Sequence, residues 1–323
     1  MKKIAVLTSG GDSPGMNAAI RAVVRSSVYN GVEVCGVFRG YSGLIEGDFK
    51  DLRVRSVANI LGRGGTILKS DRCEEFHTLE GRKKAYDNLI SEGVDGLVVI
   101  GGNGTFAGAL KFHEEYGFPI VGLPGTIDND LAGTDHTIGF DTATNTAVEA
   151  VDKIRDTADS HNRLFFIEVM GRDSGFIALS TGIATGAIAV MTPETGTTVN
   201  DLINVLEKAH KRKKSSSIVI VAEGENNGGA YEISKRVKEI TDKYDVRITV
   251  LGHLQRGGSP TCADRVLASR LGVEAVESLL KGDVNCMIGV VNNKLVHTDF
   301  ETAINNKKNT LKDEVRLAQI LSI

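Results

Sequence analysis

The residues best suited to chemistry sit in glycine-rich loops and in one acidic loop. Residues 96–110, GLVVIGGNGTFAGAL, run from an apolar strand into a glycine pair, then Asn103, Gly104 and Thr105, then a helix. A helix start preceded by bare glycines binds phosphate, because unbonded N–H groups and the helix dipole both favour negative charge. Gly102 to Ala107 also fits G-x-G-x-x-A, the dinucleotide fingerprint. That fingerprint belongs in the first βα turn, with an acid ending the next strand. Here the loop is the third βα unit and the next strand ends in Pro124, so a dinucleotide ranks last. A nucleotide triphosphate approached at Gly101, Gly102 and Gly104 fits better, with Thr105 as a hydroxyl donor. Gly10 to Gly15, in LTSGGDSPGMN, has P-loop spacing, but Met16 and Asn17 replace the lysine and hydroxyl residue. It is read as a phosphate-facing turn without Walker chemistry. GRGGTIL (62–68) and KSDRC (69–73) set Arg63 and Arg72 beside another turn, where a guanidinium can neutralise a transferring phosphoryl group.

The acidic loop is LPGTIDND (123–130). Asp128 and Asp130 flank Asn129; carboxylates at i, i+2 in a loop either face one ligand or cap turns. A kinase needs one base near the acceptor hydroxyl. Asp128 takes that role and Asp130 a supporting or metal-linked one, while Asp141 or Thr142 is expected to cap the following helix. Arg163, the Met170-Gly171-Arg172 turn, Glu223, Arg247, and His253 with Arg256 ahead of GGSP then read as a cup for a sugar phosphate. Arginine suits phosphate because its fork offers two parallel donors, and Glu223 accepts from sugar hydroxyls.

The elements that must hold these loops follow from patterning. Apolar β-branched runs (3–7, 31–38, 96–100, 118–124, 163–170, 188–194, 217–224, 246–253) alternate with helical stretches, as parallel strands covered on both faces do. Residues 142–158 predict one long helix, and further helices are expected over 176–186, 199–212, 230–243 and 261–281; 287–300 predicts a hairpin around Asn292 and Asn293. The fold class is therefore α/β: two Rossmann-like three-layer αβα domains with mostly parallel sheets and an active site in the cleft between them. The first covers 1–139 and regains about 253–300, the second covers 140–252, and 301–323 forms a helical tail. The chain has 323 residues, 37 of them glycine but only 5 proline, which suits tight strand-to-helix turns and not disordered linkers. A net charge of −3 without long runs of one sign speaks against nucleic acid or a membrane surface; the cluster KRKK (211–214) reads as a helix end. The chain opens on a strand without a leader pattern, and Cys35, Cys73, Cys262 and Cys286 form no CxxC pair. Reduced, buried thiols in a cytoplasmic protein are expected.

LTSGGDSPGMNAAIRAVVR, RGGT, PGTIDND, TIGFDTA, EVMGR and the run from VLGH through QRGGSPT to LASRLG resemble the bacterial 6-phosphofructokinases over residues 1 to about 300. PGTIDND and QRGGSP are the most specific of these. The resemblance implies phosphoryl transfer from MgATP to the 1-hydroxyl of fructose 6-phosphate in glycolysis. It casts Asp128 as base, with Thr126, Arg172, Gly11 and Arg72 also catalytic. Gly11, Arg72, Cys73, Gly102, Asn103, Gly104 and Thr105 fall at ATP positions. Thr126, Ile127, Asp128, Asp130, Met170, Gly171, Arg172, Glu223, His253, Leu254, Gln255 and Arg256 fall at sugar-phosphate positions. Arg163 and Arg247 fall where a neighbouring subunit reaches the 6-phosphate, which implies a homotetramer with shared sites. Gly104 and Gly125 match the ATP-using branch, since the pyrophosphate-using branch carries Asp and Lys there.

The resemblance also implies an allosteric site for ADP or phosphoenolpyruvate at Arg21, Ala22, Val23, Val24, Arg25, Arg155, Gly186, Ala187, Ile188, Arg212, Lys214, Ser215 and Ser216. Ile188 replaces a family Glu, Ser215 and Ser216 replace a Lys and a His, and Asn59 replaces an Asp. The sharpest departure is Asn103, where the family has the Asp that holds Mg²⁺. An amide oxygen ligates without charge; losing one electrostatic stabiliser raises a barrier by about 2–4 kcal/mol. A slowed kinase is the primary expectation, and a sugar-phosphate-binding paralogue without turnover the alternative. Because Gly104 follows, deamidation of Asn103 to Asp is a further expectation.

Overall fold

The computed structural model describes residues 1–161, 163–212, 217–306, 308 and 311–322. In chain order the elements are β1 (Lys3–Thr8), α1 (Met16–Tyr29), β2 (Glu33–Val37), α2 (Gly40–Glu46), β3 (Phe49–Asp51), α3 (Leu79–Ser91), β4 (Gly96–Gly101), α4 (Asn103–Tyr116), β5 (Ile120–Pro124) and α5 (Phe140–His161). There follow β6 (Arg163–Val169), α6 (Phe176–Thr185), β7 (Ala189–Met191), α7 (Val199–Lys211), β8 (Ser217–Ala222), α8 (Ala230–Ile240) and β9 (Asp245–Val250). The last are α9 (Cys262–Lys281), β10 (Cys286–Val291), β11 (Lys294–Asp299), α10 (Phe300–Asn305) and α11 (Leu311–Leu321).

The chain divides into two compact units. The first holds 1–127, 131–142 and 256–308; the second holds 128–130, 143–255 and 309–323. In the first unit seven strands run in the order β11-β10-β5-β4-β1-β2-β3. The strands from β10 through β2 are parallel, while β3 and β11 are antiparallel edges. Alternate residues serve opposite faces, as strand geometry requires. Ile4, Val6, Val98 and Ile100 share one core with α1 and α9, and Ala5, Leu7, Leu97 and Val99 share another with α3 and α4. Gly272 of α9 lets α1 come close, since a Cβ there would lie 2.6 Å from the Ala22 Cβ. The second unit has a four-stranded parallel sheet, β7-β8-β6-β9, cored by Leu164, Phe166, Val219 and Val221 against Leu202, Leu206, Ile233 and Val237. Within this unit α11 packs on α6. The α/β class with two mostly parallel sheets is as the sequence predicts.

Several local expectations need correction. The strand placed at 246–253 ends at Val250, so His253 lies in a 3₁₀ turn over Gly252–Arg256 and is exposed. The strand placed at 188–194 shrinks to Ala189–Met191, because Thr192 to Thr195 close a hydrogen-bonded turn. The helix placed at 230–243 stops at Ile240. The long helix begins at Phe140, one residue before Asp141, so Asp141 and Thr142 lie inside its first turn. Their side chains bond elsewhere: Thr142 Oγ1 donates to Asp264 at 2.5 Å, and Asp141 accepts from Thr261 at 2.6 Å. All four thiols are free, but Cys262 is exposed and Cys73 half-buried; only Cys35 and Cys286 match the buried expectation.

Candidate functional site

In the first unit, three neighbouring parallel strands deliver their loops to one sheet edge. The register pairs Thr8 with Ile100 and Gly101 with Pro124. The chain leaves β1, β4 and β5 still stitched together: Ser9 N donates to Ile100 O (3.0 Å) and Gly125 N to Gly101 O (2.9 Å). Ligands of open parallel sheets bind beyond such carboxyl ends. Thr105, 3% exposed, turns its hydroxyl inward and donates to Ser9 O at 3.2 Å, tying the β4 loop to the β1 loop. The Tyr41 hydroxyl caps the same residue at its carbonyl, 2.5 Å away.

Three glycines differ in how closely their surroundings approach. At Gly101 a Cβ would lie 2.2 Å from Thr105 Oγ1 and 2.6 Å from Ser9 O, so the loop stitching demands it. At Gly11 a Cβ would lie 2.7 Å from Arg256 Nη1, whose guanidinium donates to Asp12 O (3.1 Å). At Gly104 a Cβ meets nothing within 4 Å: the bare backbone faces open space. Gly102 is the N-cap of α4, and Thr105 N and Phe106 N both donate to its carbonyl, at 3.0 and 3.1 Å. Asn103 opens the helix, and α4 has no acid in its first turn.

Asn17 explains the P-loop position that lacks a hydroxyl. It is 1% exposed; its amide donates to Arg63 O (3.1 Å) and Gly64 O (3.2 Å), and its oxygen accepts from Ile67 N (2.7 Å). It is a staple between the α1 start and the 62–67 turn, a role that spacing from Gly10 does not signal. Ser70 Oγ donates to Gly10 O (2.6 Å) and Ser259 Oγ to Gly62 O (2.8 Å), so the turn bearing Arg63, the β1 loop and GGSP form one cluster. Arg63, Arg72 and Lys69 are exposed and Cys73 half-buried beside them. Thr126 is anchored through its carbonyl, which accepts from Thr137 Oγ1 at 2.6 Å; Ile127 is fully buried.

In the second unit, Asp128 is 7% exposed and its backbone carbonyl accepts from Ser174 Oγ at 2.8 Å; the same hydroxyl lies 3.0 Å from Gly171 O. Asn129, between Asp128 and Asp130, has φ of 53°. The β6 turn is bent sharply: Gly171 has φ of 145° and Arg172 of 54°, a conformation uncommon for a side-chain-bearing residue. Arg172 N donates to Glu223 Oε1 at 2.6 Å, and a Cβ at Gly224 would lie 2.0 Å from Arg172 O. Met170, Gly171, Arg172 and Glu223 are thus brought together with Asp128. Arg163 and Arg247 converge on Asp245, through a 3.0 Å bond to Arg163 Nε and a second bond to Arg247 Nη1. Leu254 is 62% exposed and Gln255 buried.

The residues assigned to an effector are divided. Arg21 and Arg25 lie on α1 of the first unit, with Ala22, Val23 and Val24 turned into its core; Asn59 is exposed. Burial, and secondarily the Arg25 charge, lowers the Arg21 pKa from its ordinary value. In the second unit Arg155 donates to Thr185 O beside Gly186, Ala187 and Ile188 are buried, and Arg212 ends α7 exposed. Ile188 is 2% exposed among the apolar residues of that core. Lys214, Ser215 and Ser216 lie outside the described residues.

Two mostly parallel sheets, the larger ending in glycine-bare, mutually stitched loops, define an α/β protein. Residues 3–279 match the phosphofructokinase family model, and the chain belongs to that family. It is 55% identical over 323 residues to ATP-dependent 6-phosphofructokinase 2 of Bacteroides thetaiotaomicron, covering all of this chain and 99% of that one. It is equally identical to ATP-dependent 6-phosphofructokinase 1 of Thermus thermophilus, with both chains fully covered. Among solved structures, phosphofructokinase from Saccharomyces cerevisiae superposes with a TM-score of 0.90 at 38% identity; the match takes in all of this chain and 48% of that longer one.

Proposed function

We propose that the chain transfers the terminal phosphoryl group of ATP to the 1-hydroxyl of fructose 6-phosphate, as a step of glycolysis, and does so slowly because Asn103 stands at the metal position. The observation that carries this reading is end-to-end identity of 55% with proteins named ATP-dependent 6-phosphofructokinase. The open space over Gly104 supports a nucleotide donor, since phosphates can approach bare backbone there. Asp128 takes the proton from the sugar 1-hydroxyl. Arg72 and Thr126 contact the transferring phosphoryl, and Gly11, Cys73, Gly102 and Thr105 line the nucleotide. Met170, Gly171, Arg172, Glu223, His253, Leu254, Gln255 and Arg256 hold the sugar phosphate. Arg163 and Arg247 serve the 6-phosphate of a neighbouring copy in a homotetramer, at present paired with Asp245.

Magnesium fits this donor set only as a partner of the nucleotide. No group of three or more His, Cys, Asp or Glu side chains suited to a metal occurs among the described residues. Mg²⁺ is commonly held by substrate phosphates, waters and one or two carboxylates, so a protein cage is not required. Asn103 would hold it through its amide oxygen, with Asp130 in support. When bound, Mg²⁺ neutralises charge on the phosphates.

A coupled assay of ADP release tests the reading. Release should require fructose 6-phosphate and rise with Mg²⁺, and Asn103→Asp should raise the rate by about 10²–10³, the value of one electrostatic stabiliser. Asn103 itself favours a second reading, a sugar-phosphate-binding paralogue without turnover. That reading gains if both proteins bind fructose 6-phosphate and neither releases ADP.

A further inference from the structure

We propose that Asp264 is a positioning residue: acting through the turn at 137–139, it sets Thr126, which the kinase reading places against the transferring phosphoryl group. Its effect on turnover rests on that reading; the mechanical link from Asp264 to Thr126 does not.

Helix α9 starts in an ordinary way. Thr261 caps it, its hydroxyl accepting from Asp264 N at 3.3 Å. In a capping box the third helical residue turns its side chain back to the N–H of its own cap. Asp264 is that third residue of α9, but its carboxylate goes to α5 instead. Oδ1 accepts from Gly139 N (2.8 Å), and Oδ2 accepts from Thr142 N (2.8 Å) and Thr142 Oγ1 (2.5 Å). Gly139 immediately precedes α5 and Thr142 is its third residue. The swap is mutual, because Thr142 Oγ1 accepts from Thr261 N at 3.0 Å. Each helix thus lends its third side chain to the N–H just ahead of the other. The first N–H groups of a helix have no intrahelical acceptor, and Gly139 brings no side chain to cap α5. Both helix starts also carry partial positive charge, which a single carboxylate between them offsets. Asp264 is 1% exposed, so water is a poor substitute for it.

The turn that Asp264 grips is fastened on its other side to the acidic loop. Three consecutive residues reach three different partners. Gly139 N donates to Asp264, Ile138 N donates to Pro124 O (2.8 Å), and Thr137 Oγ1 donates to Thr126 O (2.6 Å). Ile138 also forms a parallel bridge with Gly125. The loop after β1 closes the remaining side. Gly139 has φ of 105°, and a Cβ there would lie 2.6 Å from the Ser13 Cβ; a Cβ at Gly15 would lie 2.6 Å from Ile138 Cγ2. A turn packed this tightly transmits a shift along its length. Loosening the Gly139 end therefore moves Thr137, and with it the carbonyl of Thr126.

The test compares Asp264→Asn, Thr137→Val and the double variant in the full-length protein. Asparagine keeps the shape of the side chain but replaces one acceptor oxygen by a donor. Thr137→Val deletes the hydroxyl that reaches Thr126 O. Well below the melting temperature each should lower kcat about tenfold, with the KM for ATP and for fructose 6-phosphate changing less than about twofold. The double variant should lose no more than the larger single loss, because both changes act through one turn. Hydrogen exchange read by mass spectrometry follows the same link without turnover. Asp264→Asn should speed exchange about tenfold in the peptide covering 123–127 as well as in that covering 139–142, whereas a merely structural cap moves only the second. A lowered melting temperature with kcat unchanged overturns the proposal, as do additive losses in kcat or faster exchange confined to 139–142 and α9. A wild type that binds fructose 6-phosphate without releasing ADP overturns the kinase reading instead, and exchange at 123–127 then decides the role of Asp264. Should Asp264→Asn not fold, Thr142→Val removes a single hydroxyl from the swap and is read in the same assays.

Discussion

The Ser174 hydroxyl reaches back across the sequence to the backbone carbonyl of Asp128, 2.8 Å away, and also lies 3.0 Å from Gly171 O. One buried side chain thus ties the proposed base to the strained turn that carries Arg172. Removing it leaves two carbonyls without that partner and frees the loop. Ser174→Ala should lower kcat roughly ten- to hundredfold, the cost of a small misplacement of a catalytic group. The KM for fructose 6-phosphate should change little, since no sugar contact is removed. Steady-state kinetics separates the two; a rise in KM with kcat preserved would assign Ser174 to binding instead.

Gly104 and Gly125 make a contrasting pair. A side chain at Gly104 enters open space, whereas at Gly125 a Cβ would lie 2.9 Å from Ile100 Cγ2 and 3.1 Å from Met16 Cε. Gly104→Asp should leave the melting temperature nearly unchanged and raise the KM for ATP at least tenfold, through repulsion of phosphate. Gly125→Ala should destabilise the protein by about 1–3 kcal/mol, as overpacking does. Thermal melts and ATP titrations of the two variants provide the comparison.

Arg82 and Glu115 form a two-pronged pair, with bonds of 2.6 and 2.7 Å, that joins α3 to the C-terminal end of α4. The Arg82 hydrogen bond lowers the Glu115 pKa from its ordinary value of 4.5. A carboxylate whose folded pKa is depressed stabilises the fold above its unfolded pKa, and the contribution is lost as pH falls through the folded one. Stability should therefore drop in acid below 4.5, and Glu115→Gln should flatten that part of the profile while costing about 1–3 kcal/mol at neutral pH. Urea unfolding across the acid range measures both.

The four thiols should react in an order set by burial. Burial pushes the Cys35 thiol up to about 12 and that of Cys286 to about 11, so neither forms thiolate near neutrality. Cys262, exposed at the start of α9, should react first with a thiol reagent and Cys73 second. Cys35 and Cys286 should react only on unfolding. Timed labelling with peptide mapping checks the order; early labelling of Cys35 would contradict the packing described.

Much of this was readable from residue order alone. Parallel strands buried on both faces need continuous apolar runs, and helices need a 3.6-residue stripe, so alternation of the two periods announced the α/β class. Motifs such as PGTIDND and QRGGSP carried the family resemblance, because they are local. Asn103 stood out by its type and by the glycine after it. Other features depend on partners distant in the chain. That Asn17 staples the 62–67 turn rests on Arg63, Gly64 and Ile67, some fifty residues away. That Thr105 points inward depends on where β1 sets Ser9. The end of the strand before His253, and the difference between an exposed Cys262 and a buried Cys286, likewise follow from packing that no local spacing encodes. Sequence determines which residues can do chemistry, because residue type is chemical identity. Tertiary structure decides which of them are occupied holding the fold, because a hydrogen bond already made within the fold is not available to a ligand.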